Sequence, residues 1–381
     1  MVLLIDAPER RTRRERYDDH RDAEALAWAW RLACEGSGLC RSVDTPTGAT
    51  ITTPKVTAVR LGRRPELVVA LQPGQLPADV RAVAHRLAPA LGGVALRVEP
   101  RGLTHVRVTV LDVDPLADVV PPVPPVRSAL DPLILGRDEG GDPATLDLST
   151  AAHVIVQGAS GSGKSVGCYS LLAQLAGAPD VVVAGSDITG LLLAPWAGHA
   201  PSGLVALGTR DPDVHLAALA RLVDLMDQRI AAMPAHRDAV ALDVDTPVVL
   251  AVVEELPGLL RVLDQHGKEP GQRGRTMLGR LLGEGRKAGI RCLLVTQRAD
   301  AKIIGGYERG QASHTLSFRI DSASGLSMLH SGVTADQAAA HATAAPGVAL
   351  LSAPGVPLSR LRAPRTTFAG YVAAVAGPLA A

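Results

Sequence analysis

The chain has 381 residues, 47% of them hydrophobic and 20% charged, a balance that describes a soluble globular protein with room for two packed units and excludes a fibre or a disordered tail. Its 39 basic and 38 acidic side chains leave a net charge of +1, so a chain-wide polycation that coats nucleic acid is excluded and any such contact must be local. Cys34, Cys40, Cys168 and Cys292 are scattered without a C-x-x-C pair, which points to reduced thiols in a cytoplasmic protein rather than to staples or a zinc site.

From the N-terminus, five arginines fall between Arg10 and Arg16, but nearby acids balance them and the segment reads as a solvated helix face. Asp22–Cys34 carries a helical apolar pattern that Gly36 and Gly38 can end, so residues 1–45 form an N-terminal helical segment. Residues 46–120 read as a small α/β subdomain. Its strands are expected at Val56–Val59, Glu66–Leu71, Val94–Val98 and Thr104–Val110, with a helix over Asp79–Leu91.

Pro121-Pro122-Val123-Pro124-Pro125 cannot continue a helix or a central strand, which makes 121–130 a stiff extended linker. Beyond it, in 131–381, apolar runs at Ala152–Val156, Val181–Ala184, Val248–Val253, Arg291–Thr296 and Thr315–Ile320 alternate with helical patterns at Ser165–Ala176, Val214–Met233 and Met277–Lys287. Such alternation predicts a mainly parallel sheet wrapped by helices, with ligands at the carboxyl ends of its strands. Ala345–Pro364 reads as edge strands and turns of the same domain. No stretch reaches the roughly 18 apolar residues of a membrane helix, and the tail Ala369–Ala381 is interrupted by Pro378.

The chemistry concentrates at three strand ends. After Val156 stands Gly158-Ala159-Ser160-Gly161-Ser162-Gly163-Lys164-Ser165, a complete G-x-x-x-x-G-K-[ST] phosphate loop. Its glycines let backbone N–H groups point at phosphate oxygens, and the following helix adds its positive dipole end. Lys164 is expected at the β- and γ-phosphates and Ser165 at Mg²⁺. Val248–Val253 emerges into Glu254-Glu255, of which Glu254 would serve the Mg²⁺ shell, through water, and Glu255 would polarise the attacking water. Arg291–Thr296 ends in Gln297, an amide that can sense the γ-phosphate. The implied cofactors are ATP and Mg²⁺.

The order of GRDEGG, LDLSTAAHVIVQGASGSGKSV, LARLVDLMDQRIAAM, VVLAVVEEL, GRKAGIRCLLVTQR and SFRI resembles the motor domain of the FtsK/SpoIIIE family of DNA translocases over about Asp131–Tyr371. Ile51–Asp114 resembles the family's smaller motor subdomain, and the whole layout is similar to actinobacterial conjugative-element (TraB-like) members. The resemblance implies a RecA-like P-loop fold and an ATP-driven hexameric ring that moves double-stranded DNA, in conjugal transfer or chromosome partitioning.

The family's Asp-Glu pair is Glu254-Glu255 here, its Asp-Pro-Lys appears as Asp187-Ile188-Thr189, and its Asp-Ser-Arg is missing from Asp321–Ser327. Neither a winged-helix reader nor a membrane segment is expected, so recruitment to the envelope would need a membrane-bound partner. DNA contact is expected at Arg237 and at Lys268, Arg273 and Arg275, the last three on a glycine-containing loop, Gly267–Arg275; solubilising charges are the alternative for each. Arg286, Arg298 and Arg319 are the candidates for a cation supplied in trans. Two other functions suit the same residues: a protein-translocating ATPase similar to type VII secretion motors, and a weakly hydrolysing nucleotide-binding regulator.

Overall fold

The computed structural model describes residues 2–5, 13–45, 48–62, 64–208, 211–299 and 305–377, so Arg10, Arg11 and Pro378 lie outside the described residues. The chain divides into two compact units, one made of Met1–Asp118 and Asp138–Asp142, the other of Val119–Arg137 and Pro143–Ala381.

The first unit contains β1 (Val2–Ile5), α1 (Arg13–Ser37), β2 (Arg41–Thr45), β3 (Gly48–Thr52), β4 (Lys55–Leu61), β5 (Glu66–Ala70), α2 (Pro77–Ala82), α3 (Ala84–Leu87), β6 (Ala95–Arg101) and β7 (His105–Leu111). Among the described residues its main sheet runs β1-β4-β5-β7-β6. Alternation builds it: Leu67 and Val69 of β5 and Val106 and Val108 of β7 bury one face, where they share a core with Trp30 and Cys34 of α1. Each fully buried side chain of this kind contributes about 1.5–3 kcal/mol relative to exposure.

Trp30 Nε1 donates to Pro54 O at 2.9 Å, which fixes the helix on the strands. The helical segment 1–45 is therefore not a separate packed body, and the β2–β3 hairpin straddles its boundary. The helix expected over Asp79–Leu91 is broken into α2, α3 and a 3₁₀ turn at Pro89–Leu91. Pro89 has no N–H to donate and its ring clashes with the preceding turn, which ends α3.

The second unit opens with the proline-rich segment, which is pinned at both ends: Val120 bridges to Pro364, and Val126 N donates to Gln174 O at 2.8 Å. Its strands are β8 (Leu133–Asp138), β9 (Pro143–Leu146), β10 (His153–Gln157), β11 (Val181–Asp187), β12 (Val205–Leu207), β13 (Val248–Glu254), β14 (Ile290–Thr296), β15 (Ala312–Phe318), β16 (Val348–Ala353) and β17 (Val356–Arg362). Among the described residues they form one sheet in the order β12-β11-β13-β14-β10-β15-β16-β17-β8-β9. From β12 to β15 every pairing is parallel, whereas β15-β16 and β16-β17 are antiparallel.

Helices cover both faces: α4 (Lys164–Ala173), α5 (Pro212–Ala231), α6 (Leu256–Gln265), α7 (Lys268–Glu284), α8 (Gly306–Gln311), α9 (Ala323–Leu329), α10 (Ala335–Ala342) and α11 (Phe368–Ala376). In β10, Val154 and Val156 join the core that holds α4 and α11, while Ile155 joins the core that holds α5, α6 and α7. A strand buried on both faces needs apolar residues at every position, which is why these strands read as continuous runs.

Gly267–Arg275 is not a loop. Lys268–Glu284 is one helix, α7, and the glycines are there for packing: a Cβ at Gly271 would lie 2.0 Å from Asp264 Oδ1, and one at Gly274 would lie 2.4 Å from Leu263 Cδ1. Close contact with the side chains of α6 accounts for these glycines. Ala345–Pro364 also differs from expectation, since β16 and β17 sit inside the sheet and not at its edge.

Candidate functional site

Because β14 lies between β10 and β13, three strand ends meet at one side of the sheet. The phosphate loop leaves β10, Gln297 leaves β14, and Glu254-Glu255 closes β13. The loop is held from beneath: Ala159 N donates to Arg319 O at 3.0 Å, and Gly347 N donates to Ser162 O at 2.8 Å. Gly163 has φ of 95°, and a Cβ there would sit 2.4 Å from Gly347 N, so both its backbone angle and its surroundings exclude a side chain. Ser162 Oγ is buried without a partner, and Ser165 is exposed in the first turn of α4, where the N–H groups of a helix start are unsatisfied.

Lys164 Nζ donates to Thr296 O at 3.0 Å and stands 4.0 Å from Glu255 Oε2. Both side chains are largely shielded from solvent, so the cation is held between two acceptors at the place where phosphate charge would replace them. Among the described residues Glu255 is the only non-glycine with positive φ, at 54°. Such a left-handed backbone costs about 1–2 kcal/mol, and here it turns the chain from β13 into α6 while aiming the carboxylate at Lys164. Gly258 leaves room for this, since a Cβ there would be 3.1 Å from Glu255 Cγ.

Glu254 pairs in register with Asp187 across β13 and β11. Asp187 is fully buried and accepts from Thr189 Oγ1 at 2.9 Å, Gly190 N at 2.8 Å and Leu193 N at 2.9 Å, so it serves as the cap of the turn after β11. Burial pushes the Glu254 carboxyl up to about 7, and the neighbouring Asp187 and Glu255 push the same way against Lys164. Glu254 Oε2 is buried with no hydrogen-bond partner.

Among the described residues no group of three or more His, Cys, Asp or Glu forms a metal cage. An orphaned carboxylate oxygen and the hydroxyl that follows Lys164 at the start of α4 fit a Mg²⁺ ion that takes one or two protein oxygens and completes its shell with water and substrate phosphate. Glu254 and Ser165 are the residues that would hold it.

The strand ends thus bring together Lys164, Glu254, Glu255 and the chain carrying Gln297, which is exposed. Thr296 Oγ1 fixes the turn there by donating to Arg298 O at 2.9 Å and accepting from Arg298 N at 3.2 Å. Arg298 and Arg319 also follow carboxyl ends, of β14 and β15, whereas Arg286 lies before the start of β14.

The four expected DNA contacts do not join this site. Arg237 lies in the connection from α5 to the start of β13, which Val240 N pins to Lys287 O at 2.9 Å, at the end of the strands opposite the phosphate loop. Lys268 and Arg273 are exposed on α7, and Arg275 is locked to Asp264 by two hydrogen bonds of 2.7 and 2.6 Å. Missed in the sequence were the Thr296 carbonyl, Asp187 as a turn cap, and Gln157; for the last two the available signal was a polar residue closing an apolar strand.

Residues 126–246 match the FtsK/SpoIIIE family. The chain is 30% identical over 220 residues to DNA translocase FtsK 2 of Neisseria meningitidis, covering 50% of this chain and 21% of that protein. It is 29% identical over 304 residues to DNA translocase FtsK of Mycobacterium tuberculosis, covering 73% of this chain and 34% of that protein. The chain thus spans about a fifth to a third of the length of these relatives. Among solved structures, the monomer of the pCW3 conjugation coupling protein TcpA with ATPγS superposes with a TM-score of 0.50 at 16% identity, covering 89% of this chain and 95% of that one. With a phosphate loop, an acid-ended strand two places away and a mainly parallel sheet, the second unit has the P-loop ATPase fold, and its residues 126–246 are similar to the FtsK/SpoIIIE family.

Proposed function

We propose that the second unit hydrolyses ATP and that the energy moves double-stranded DNA, with the chain assembled as a ring, of six copies by the family resemblance. The observation that carries the hydrolytic part is the placement of Lys164 Nζ, 3.0 Å from Thr296 O and 4.0 Å from Glu255 Oε2. The names of the FtsK relatives support DNA as the substrate, and the TcpA likeness in fold suits a place in conjugal transfer.

In this reading the loop N–H groups and Lys164 receive the phosphates, and Lys164 exchanges its contacts with Thr296 O and Glu255 for the γ-phosphate. Glu254 and Ser165 would hold Mg²⁺, which when bound would neutralise phosphate charge. Glu255, freed from Lys164, accepts a proton from water as the water oxygen bonds to the γ-phosphorus and the bond to the β-phosphate oxygen breaks. Gln297 orients that water or the γ-phosphate from the neighbouring strand end. DNA is held through phosphate contacts by exposed cations, for which Lys268, Arg273 and Arg237 remain the candidates, with Arg275 already engaged by Asp264. Recruitment to a membrane by a partner completes the proposal; among the described residues no helix is long and apolar enough to cross one.

The test is steady-state phosphate release with and without long duplex DNA, beside sedimentation with ATP and Mg²⁺. DNA-stimulated turnover and ring formation are expected. Turnover that ignores DNA removes the translocase reading and favours protein translocation, and nucleotide binding without turnover favours a regulator.

A further inference from the structure

Gln157, the last residue of β10, is fully buried, and the next residue begins the phosphate loop. The strand before it, Val154-Ile155-Val156, is wholly apolar, so an amide at its end has to be matched on both sides or it costs the fold. It is matched on both sides. Oε1 accepts from Ala299 N at 3.0 Å, while Nε2 donates to Ser317 Oγ at 2.7 Å and to Gly325 O at 3.1 Å.

The partners belong to three different elements: the chain leaving β14, the end of β15, and the first turn of α9. The first of these is the one that carries the Thr296 carbonyl, which holds Lys164, and Gln297. Ser317 is itself committed. Its hydroxyl receives from Gln157 and faces His330 Nε2 at 2.7 Å, and His330 Nδ1 faces Ser352 Oγ at 2.7 Å. One donor direction satisfies the whole line: Gln157 to Ser317, Ser317 to His330, and His330 Nδ1–H to Ser352. Burial keeps His330 neutral, down at about 4, so the line does not change with pH in the working range. The amide is therefore rigidly oriented, and its free end grips the loop after β14.

We propose that Gln157 is a positioning residue for the hydrolysis assigned above: it fixes the loop after β14, and with it Gln297, against the phosphate loop. The inference rests on that functional reading. It gives Gln157 no contact with nucleotide; its effect on turnover runs through Gln297.

The experiment is a double-mutant cycle of Gln157→Met and Gln297→Ala, read as kcat, KM for ATP and nucleotide Kd. Gln157→Met keeps length and apolar bulk but breaks all three hydrogen bonds. It is expected to lower kcat about tenfold while Kd changes less than about threefold, and to cost no more than about twofold once Gln297 is already alanine. Losses that multiply overturn the inference and leave the ATPase reading standing. Full turnover in Gln297→Ala overturns both the inference and the role of Gln297, and a wild-type chain without ATP turnover overturns the function itself. Should Gln157→Met fail to fold, Ser317→Ala keeps the bond to Ala299 and is expected to hold kcat within about threefold of wild type; a tenfold loss there overturns the placement of the effect in the β14 loop.

Discussion

The crevice around Lys164 and the outer pair α6–α7 are both rich in glycine and charge, yet their glycines answer different demands. At Gly163 the backbone itself is left-handed, and the loop must approach Gly347 closely. Gly271 and Gly274 have helical backbone, and what they lack is space, because α6 presses Asp264 and Leu263 onto them. A glycine-rich stretch therefore signals a need for missing atoms, and only the tertiary setting says whether the need is conformational or steric. Charges differ in the same way: Lys164 is held in a shielded site by an acceptor it can exchange, whereas Arg275 is tied in the open to Asp264.

The sharpest way to break this contrast is to remove the groups of the crevice. Lys164→Ala is expected to abolish nucleotide binding at millimolar ATP, and Glu255→Gln to keep binding while lowering steady-state phosphate release about 10³-fold. Retained turnover in Glu255→Gln removes that residue from the chemistry.

A smaller effect tests the steric reading of α7. Gly274→Ala should cost about 1–3 kcal/mol by overpacking against Leu263, whereas Gly279→Ala, which meets nothing within 4 Å, should stabilise by about 0.5–1 kcal/mol. Thermal unfolding of both variants decides it; a Gly274→Ala as stable as wild type removes the steric reading of that glycine.

Next in size is the proton on Glu254. Its carboxyl binds a proton more tightly in the folded chain than in the unfolded one, so the stability this supplies is full below the usual carboxylate range and is lost as pH rises through about 7. Metal-free wild type should therefore lose a few degrees in Tm between pH 5 and pH 8 relative to Glu254→Gln, in which the amide cannot ionise. Parallel pH profiles for the two would remove the burial argument. Least of all, Arg275→Ala should change stability by only about 0–1 kcal/mol, because its pair with Asp264 is exposed.

How far the sequence could be read follows from what sets each feature. The strands of the parallel sheet were legible because burial on both faces leaves an unbroken apolar run, as in Val248–Val253. The phosphate loop was legible because its backbone needs glycine at fixed spacing. The insertion of β14 between β10 and β13, which brings Thr296 O to Lys164, is a matter of sheet order and leaves no local mark. Gln157 and Asp187 were visible as polar residues at strand ends, but whether such a residue faces solvent or a turn depends on partners more than 100 residues away or on the shape of the next loop. The second half of α7 was legible as the helical pattern from Met277, but its first half, from Lys268, was hidden because glycine is a poor helix former in isolation, and the contacts that outweigh this come from α6.

The left-handed backbone of Glu255 has a consequence for how this chain ages in evolution. Asparagine tolerates that conformation better than glutamate does, so the position is held against its own folding preference by whatever the carboxylate does. Copies released from selection for the proposed turnover would be free to relax there, and residue 255 would then mark its loss before any change in the phosphate loop did.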